Sequence, residues 1–248
     1  MEWRDQGLVL SARKHGETAA IVSLLSPAQG RHLGLVRGGQ SRRRQGLLQP
    51  GNLVDAHWRA RLEEHLGTFT LEAIHGFSAV VLDDPLRLKG LSAALALLDA
   101  GLAEREAHEG IFHGTIALLR ALEAAPGRGG EDGARGWITG YVRWELSLLD
   151  CLGFGLDLSA CAATGTTEDL VYVSPRSGRA VSRDAGAPYR EKLLALPAFL
   201  MDPEAVPSRM DIAAGLALTG YFLQSHHFAA AGRAMPAARN RFIDAVGK

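Results

Sequence analysis

A chain of 248 residues is long enough for two modest domains, and 47% hydrophobic with 22% charged residues excludes a disordered polymer. Lys plus Arg and Asp plus Glu number 27 each, so the net charge of zero excludes a body that is cationic throughout but allows a local basic face. With only Cys151 and Cys161, neither in a Cys-x-x-Cys pair, a disulfide framework is excluded and reduced thiols are expected.

The opening Met1-Glu2-Trp3-Arg4-Asp5 is charged and does not read as a signal peptide. No apolar run reaches the ~18 residues of a membrane span, and the longest, Leu91 to Leu98, reads as a buried helix. Five short apolar segments come first: Gly7–Arg13, Thr18–Ser26, Gly30–Arg37, Asn52–Ala60 and Gly67–Ile74. Turn signals separate most of them: His15-Gly16-Glu17, Ser26 to Gly30, Gly38-Gly39 and Pro50-Gly51-Asn52. Five strands in so short a stretch read as a small antiparallel barrel, which escapes exposed edges by closing on itself.

After Pro85 the period becomes helical, with Leu86, Leu88, Leu91, Leu95, Leu98 and Leu102. Further helices are predicted at about 109–124 and 136–152, separated by the breaker-rich Pro126–Gly133. Residues 158–186 read as a small β excursion, and helical signals return at 189–200, 208–228 and 236–246, where Pro236 suits a first turn. The expected class is α+β: a five-stranded barrel over 1–78, then a helical domain over 79–248 containing the β lobe.

Positive charge is concentrated in the barrel. Between Arg31 and Arg61 there are seven arginines (Arg31, Arg37, Arg42, Arg43, Arg44, Arg59, Arg61) and, up to Arg61 itself, one acid, Asp55. Three adjacent arginines after Gly38-Gly39-Gln40-Ser41 repel one another and call for an anion or water; in a mobile loop they would adapt to phosphate oxygens by bidentate hydrogen bonds. With Arg13 and Lys14 these nine cations form the candidate phosphate-contacting set. An OB-like barrel binding single strands in a basic groove fits the pattern. Trp3, Trp58, Phe69 and Phe77 read as core or domain-seam rings, so binding should rest on phosphates rather than on base stacking. No motif for reading base identity is present.

Catalytic and metal motifs fail on spacing. His108 and His113 stand at i and i+5, about 140° apart on a helix, whereas a zinc-protease pair needs i and i+4. His226 and His227 are adjacent and are expected on different faces. Gly153-Phe154-Gly155 lacks a third glycine, and neither a nucleophile elbow nor a P-loop occurs. A non-enzyme without cofactors is expected.

Several stretches together resemble the RecO family of bacterial DNA repair: Gly16-Glu17-Thr18 through Leu24, Gly30-Arg31, Val36-Arg37-Gly38-Gly39-Gln40-Ser41-Arg42, and Leu47-Leu48-Gln49-Pro50-Gly51. The resemblance continues through Leu152-Gly153-Phe154-Gly155, Val173-Ser174-Pro175 and Met235-Pro236 to Phe242. It implies an OB-fold barrel that binds single- and double-stranded DNA without sequence preference, and a cytoplasmic recombination mediator. Such a mediator anneals complementary strands, including strands coated by single-stranded DNA-binding protein (SSB). Implied partners are RecR, the SSB C-terminal tail met by the helical domain, and RecF in some members; RecA loading is the implied outcome. Many members carry a CxxC…CxxC zinc site in the β lobe. Here those positions read Cys161, Thr164, Ser182 and Ala185, so no zinc is expected, with Cys161 buried and the lobe held by packing. The competing reading is a protein-binding adaptor whose arginines meet an acidic partner tail rather than DNA.

Overall fold

The computed structural model describes residues 1–62, 64–125 and 131–247, with the side chains of Arg43 and of residues 131–135 outside the described set. Two compact units emerge, residues 1–124 with 236–242, and residues 125–235 with 243–248.

The first unit opens with a closed barrel of strand order β1-β2-β3-β5-β4. Its strands are β1 (Glu2–His15), β2 (Ala19–Ser26), β3 (Gly30–Val36), β4 (Asn52–Arg59) and β5 (Thr68–Gly76). Strand β1 is longer than predicted because it serves two partners: Glu2 to Leu8 pair with β4, and Leu8 to His15 pair with β2, across an irregularity between Val9 and Ser11. A single parallel pairing, Leu35 with Thr68, closes the ring. Alternation sends Val9, Ala20, Val22, Leu24, Val36, Val54, Ala56, Trp58 and Phe69 into one buried core. Trp58, Phe69 and Phe77 are buried and Trp3 is half-buried, as read from the sequence.

Between β3 and β4 lies α1 (Arg42–Leu47), where a mobile loop was predicted. The correction has a tertiary cause. Leu48 is buried in the barrel core, and the Asn52 side chain donates to the carbonyls of Gly46 and Leu47, so both the end of the turn and its exposed acceptors are held.

Next come α2 (Phe77–Val80), α3 (Pro85–Gly101) and α4 (Glu109–Ala124). Asp84 caps α3 by accepting from the Leu86 and Arg87 amides, with Pro85 in the first turn. Arg87 links the two long helices, since its guanidinium meets Asp84 and donates to the Leu122 carbonyl. These helices pack on β1 and β2. Ile21, Ser23 and Leu25, which point away from the barrel core, are buried as a result.

In the second unit α5 (Glu131–Cys151) takes in residues 131–133, which were predicted to belong to the breaker; the rest of that stretch, residues 126–130, lies outside the described set. A small sheet of order β7-β6-β8 follows, from β6 (Leu170–Val173), β7 (Ala180–Ser182) and β8 (Leu194–Ala195), with α6 (Arg183–Gly186) after β7. The helix predicted over 189–200 is instead two 3-10 turns, Ala187–Lys192 and Ala198–Leu200, flanking β8. Pro188 and Pro197 break the α pattern there. A reciprocal Ser208–Asp211 capping box starts α7 (Arg209–Phe222), which continues as a π-helical turn, Leu223–Phe228. His226 and His227, expected on different faces, each lie 6.1 Å from the Phe154 ring, because that ring packs against the wider turn. The last helix is α8 (Ala237–Val246).

Candidate nucleic-acid interface

Antiparallel pairing places the β1–β2 hairpin tip beside the end of β3: Lys14 stands opposite Ala20, and Ala20 opposite Val36. The chain leaves β3 at Arg37 and turns at Gly38, whose φ of 64° suits glycine. Gly39 then lies against Ala20, where a Cβ would come within 2.8 Å of the alanine methyl. Gln40 ties this connection to the hairpin. Its amide donates to the Thr18 carbonyl, and its side chain donates to the carbonyls of Gly16 and Ala19. The Arg44 guanidinium donates to the carbonyl of Arg37, folding α1 back over the connection.

Arg13, Lys14, Arg37, Arg42 and Arg44 are thereby gathered, exposed, at one end of the barrel. None of the five forms an ion pair with a carboxylate among the described residues; the exposed Glu17 is the acid on the hairpin tip. The Arg43 side chain lies outside the described set.

The remaining candidates are placed differently. Arg31 is turned against the helices: its Nε donates to the Leu102 carbonyl at 2.9 Å and its guanidinium lies 3.9 Å from Asp99, leaving 17% of the side chain exposed. Arg59 pairs with Glu2 at 2.9 Å, and Glu2 also meets His57 at 2.8 Å, so these hydrogen bonds hold the Glu2 carboxyl below its usual range. Arg61 is exposed in the β4–β5 connection, beside a shallow cavity of about 780 Å³ lined by Glu2, Arg59, His65 and Thr68 among others.

In OB folds the face of strands 2 and 3, flanked by the β1–β2 and β4–β5 loops, commonly binds oligonucleotides. Here the start of β3 on that face is met by the link between α3 and α4. Glu104 bridges Arg31, the Arg105 amide donates to the Arg31 carbonyl, and Gly30 lies against the backbone of Glu106. The open cationic surface is the hairpin-and-α1 end. Sequence reasoning missed Gln40 and Asn52, the two side chains that position it; each looked like an ordinary turn residue, and only their hydrogen bonds distinguish them.

The β lobe brings Cys161 and Ser182 together. Ser182 donates to the Cys161 sulfur from its amide at 3.3 Å and from its hydroxyl at 3.4 Å. These bonds, with contributions from the nearby Thr164 hydroxyl and Ala163 amide, lower the thiol pKa to about 6 against the opposing effect of burial. A structural zinc takes four ligands, usually thiolates or imidazoles. Ala185 offers no donor, Thr164 and Ser182 offer only hydroxyls, that of Ser182 already engaged with the sulfur, and the residues present do not fit the metal.

A closed OB barrel carrying an unpaired cationic end, joined to a helical domain with a small β lobe, defines the class: an OB-fold protein with an appended α-helical module. Family models described as Recombination protein O N terminal and Recombination protein O C terminal match residues 1–77 and 82–231. The chain is 52% identical over 245 residues to a DNA repair protein RecO of Rhodospirillum rubrum, covering 98% of this chain and 96% of that one. It is 52% identical over 250 residues to the RecO of Rhodospirillum centenum, covering 100% and 96%, and 49% identical over 248 residues to that of Caulobacter vibrioides, covering 100% and 98%. The chain belongs to the RecO family, and its role lies in DNA repair.

Proposed function

We propose that this chain is a non-enzymatic recombination mediator of the bacterial cytoplasm that binds single- and double-stranded DNA through phosphate contacts at the hairpin-and-α1 end of its barrel. The supporting observation is the set of five exposed cations held at one end by Gln40 and Asn52 and left unpaired by carboxylates among the described residues. Arg42, Arg44, Arg37, Arg13 and Lys14 are the contacts proposed from that geometry, with Arg43 on the same turn and Arg61 as a flanking contact. Arg31 and Arg59 are assigned to holding the fold.

Two DNA strands repel through their phosphates. A protein that neutralises backbone charge on both lowers the barrier to annealing without a nucleotide cofactor. In this reading the chain anneals complementary strands, including SSB-coated ones, and acts with RecR, and RecF where it is required, to help load RecA. The helical unit is the part proposed to meet the SSB tail. A groove of about 360 Å³ there sets the Arg143 cation, with Glu204 also in the lining, beside the apolar Pro203, Ala205, Val206 and Pro207; the cation and that apolar wall are the groups proposed to receive an acidic, apolar peptide end.

The deciding experiment is annealing of SSB-coated complementary oligonucleotides by wild type and by an Arg42→Ala/Arg43→Ala/Arg44→Ala variant at two salt concentrations. The variant should anneal more slowly, and the slope of log affinity against log salt should flatten by about two units, at about 0.7 per contact. An unchanged slope removes this end of the barrel from the DNA site. The adaptor reading predicts no binding to oligo-dT by either protein.

A further inference from the structure

We infer that residues 161–186 keep the frame of a metal knuckle in which the metal's cross-linking role is taken by a small hydrogen-bonded cluster centred on Cys161 and Ser182. Three observations carry this. First, the segment from Cys161 to Thr166 is a tight turn: the Gly165 amide donates to the Cys161 carbonyl at 2.9 Å, the Cys161 amide donates to the Thr166 carbonyl at 2.7 Å, and Gly165 adopts a φ of 75°. This turn sets the sulfur against the amide and hydroxyl of Ser182.

Second, the partner from across the lobe arrives at ligand spacing. Two sulfurs on a tetrahedral zinc with ~2.3 Å bonds stand about 3.8 Å apart. The Ser182 hydroxyl stands 3.4 Å from the Cys161 sulfur. Residue 182 ends β7, and residue 185 lies one turn further on in α6. Third, the cluster spans the same two chain segments that a metal would cross-link. The Ala162 amide donates to the Ala180 carbonyl at 2.8 Å, and Cys161 is 1% exposed, so water does not compete for its hydrogen bonds.

The lobe should therefore fold without metal, while the backbone remains close to what zinc requires. Wild-type protein purified from zinc-supplemented cells should carry substoichiometric zinc and show the same Tm with and without EDTA; one zinc per chain or a chelator-lowered Tm would overturn the inference. Thr164→Cys/Ser182→Cys/Ala185→Cys should take up one Co2+ per chain with the intense visible bands of a four-thiolate site, and zinc should raise its Tm. A folded triple variant that takes up no Co2+ also overturns it. If that variant does not fold, a double-mutant cycle decides. Cys161→Ala and Ser182→Ala should each lower Tm by about 3 °C and together by clearly less than the sum, whereas additive losses sink the cluster.

Discussion

Inside the barrel, His32 stands among Trp3, Trp58 and Phe69 with ring centroids 4.8 to 6.1 Å away, and neither of its ring nitrogens has a hydrogen-bond partner. Burial, with the nearby Arg105 charge, lowers its pKa from 6.5 to about 4. A base depressed on folding binds its proton less readily folded than unfolded, so stability present at neutral pH is lost as pH falls from ~6.5 toward ~4. Urea titrations at pH 7 and pH 4.5 should show a loss on the order of 2 kcal/mol in wild type that His32→Phe largely removes. Gly34 is a second residue whose identity the packing explains, since a Cβ there would come within 2.4 Å of the Phe69 ring. Gly34→Ala should cost about 1–3 kcal/mol, read as a lowered urea midpoint with an unchanged m-value.

Among the elements, α1 decides how the arginine run is displayed. Adjacent like charges between glycines read as a loop, and nothing local contradicts that reading. The helix is stabilised by groups outside it: Leu48 in the core, Asn52 at its last carbonyls, and Gln40 bound to the hairpin. Asn52→Ala should speed amide exchange at Arg44–Leu48 and cost about 1 kcal/mol in stability. Strand β3 gives the opposite lesson, because Arg31 looks in sequence like every other arginine of the set but tethers the strand to the end of α3. Arg31→Ala should lower Tm by several degrees, about 2–4 °C per kcal/mol, without changing the salt slope of DNA binding. Arg42→Ala should weaken DNA binding at constant Tm; the reverse pattern for the pair would contradict these roles.

Across the whole molecule, a chain of zero net charge achieves a cationic end by sorting its charges. If five phosphate contacts form on single strands, the salt slope is about −3.5, and affinity should fall about a hundredfold between ~50 and ~200 mM salt, measured by fluorescence anisotropy of labelled oligo-dT. A loss of only a few fold would mean that fewer contacts operate. The helices packed on β1 and β2 determine which side of the barrel is available, because they bury the outward residues of β2 while the link between them meets the start of β3.

Five strands, their glycine turns, the long helices and the concentration of arginine were legible in the linear chain, because alternation, helical period and turn chemistry act between residues a few positions apart. The interior placement of Trp58 and Phe69 was legible for the same reason. Which arginines remain free was not, because their partners are remote in sequence: Glu2 for Arg59 and Leu102 with Asp99 for Arg31. The α1 turn, the contact at the start of β3 and the Cys161–Ser182 contact likewise depend on groups that only folding brings together, and burial and charge pairing are set by those neighbours rather than by the residue itself.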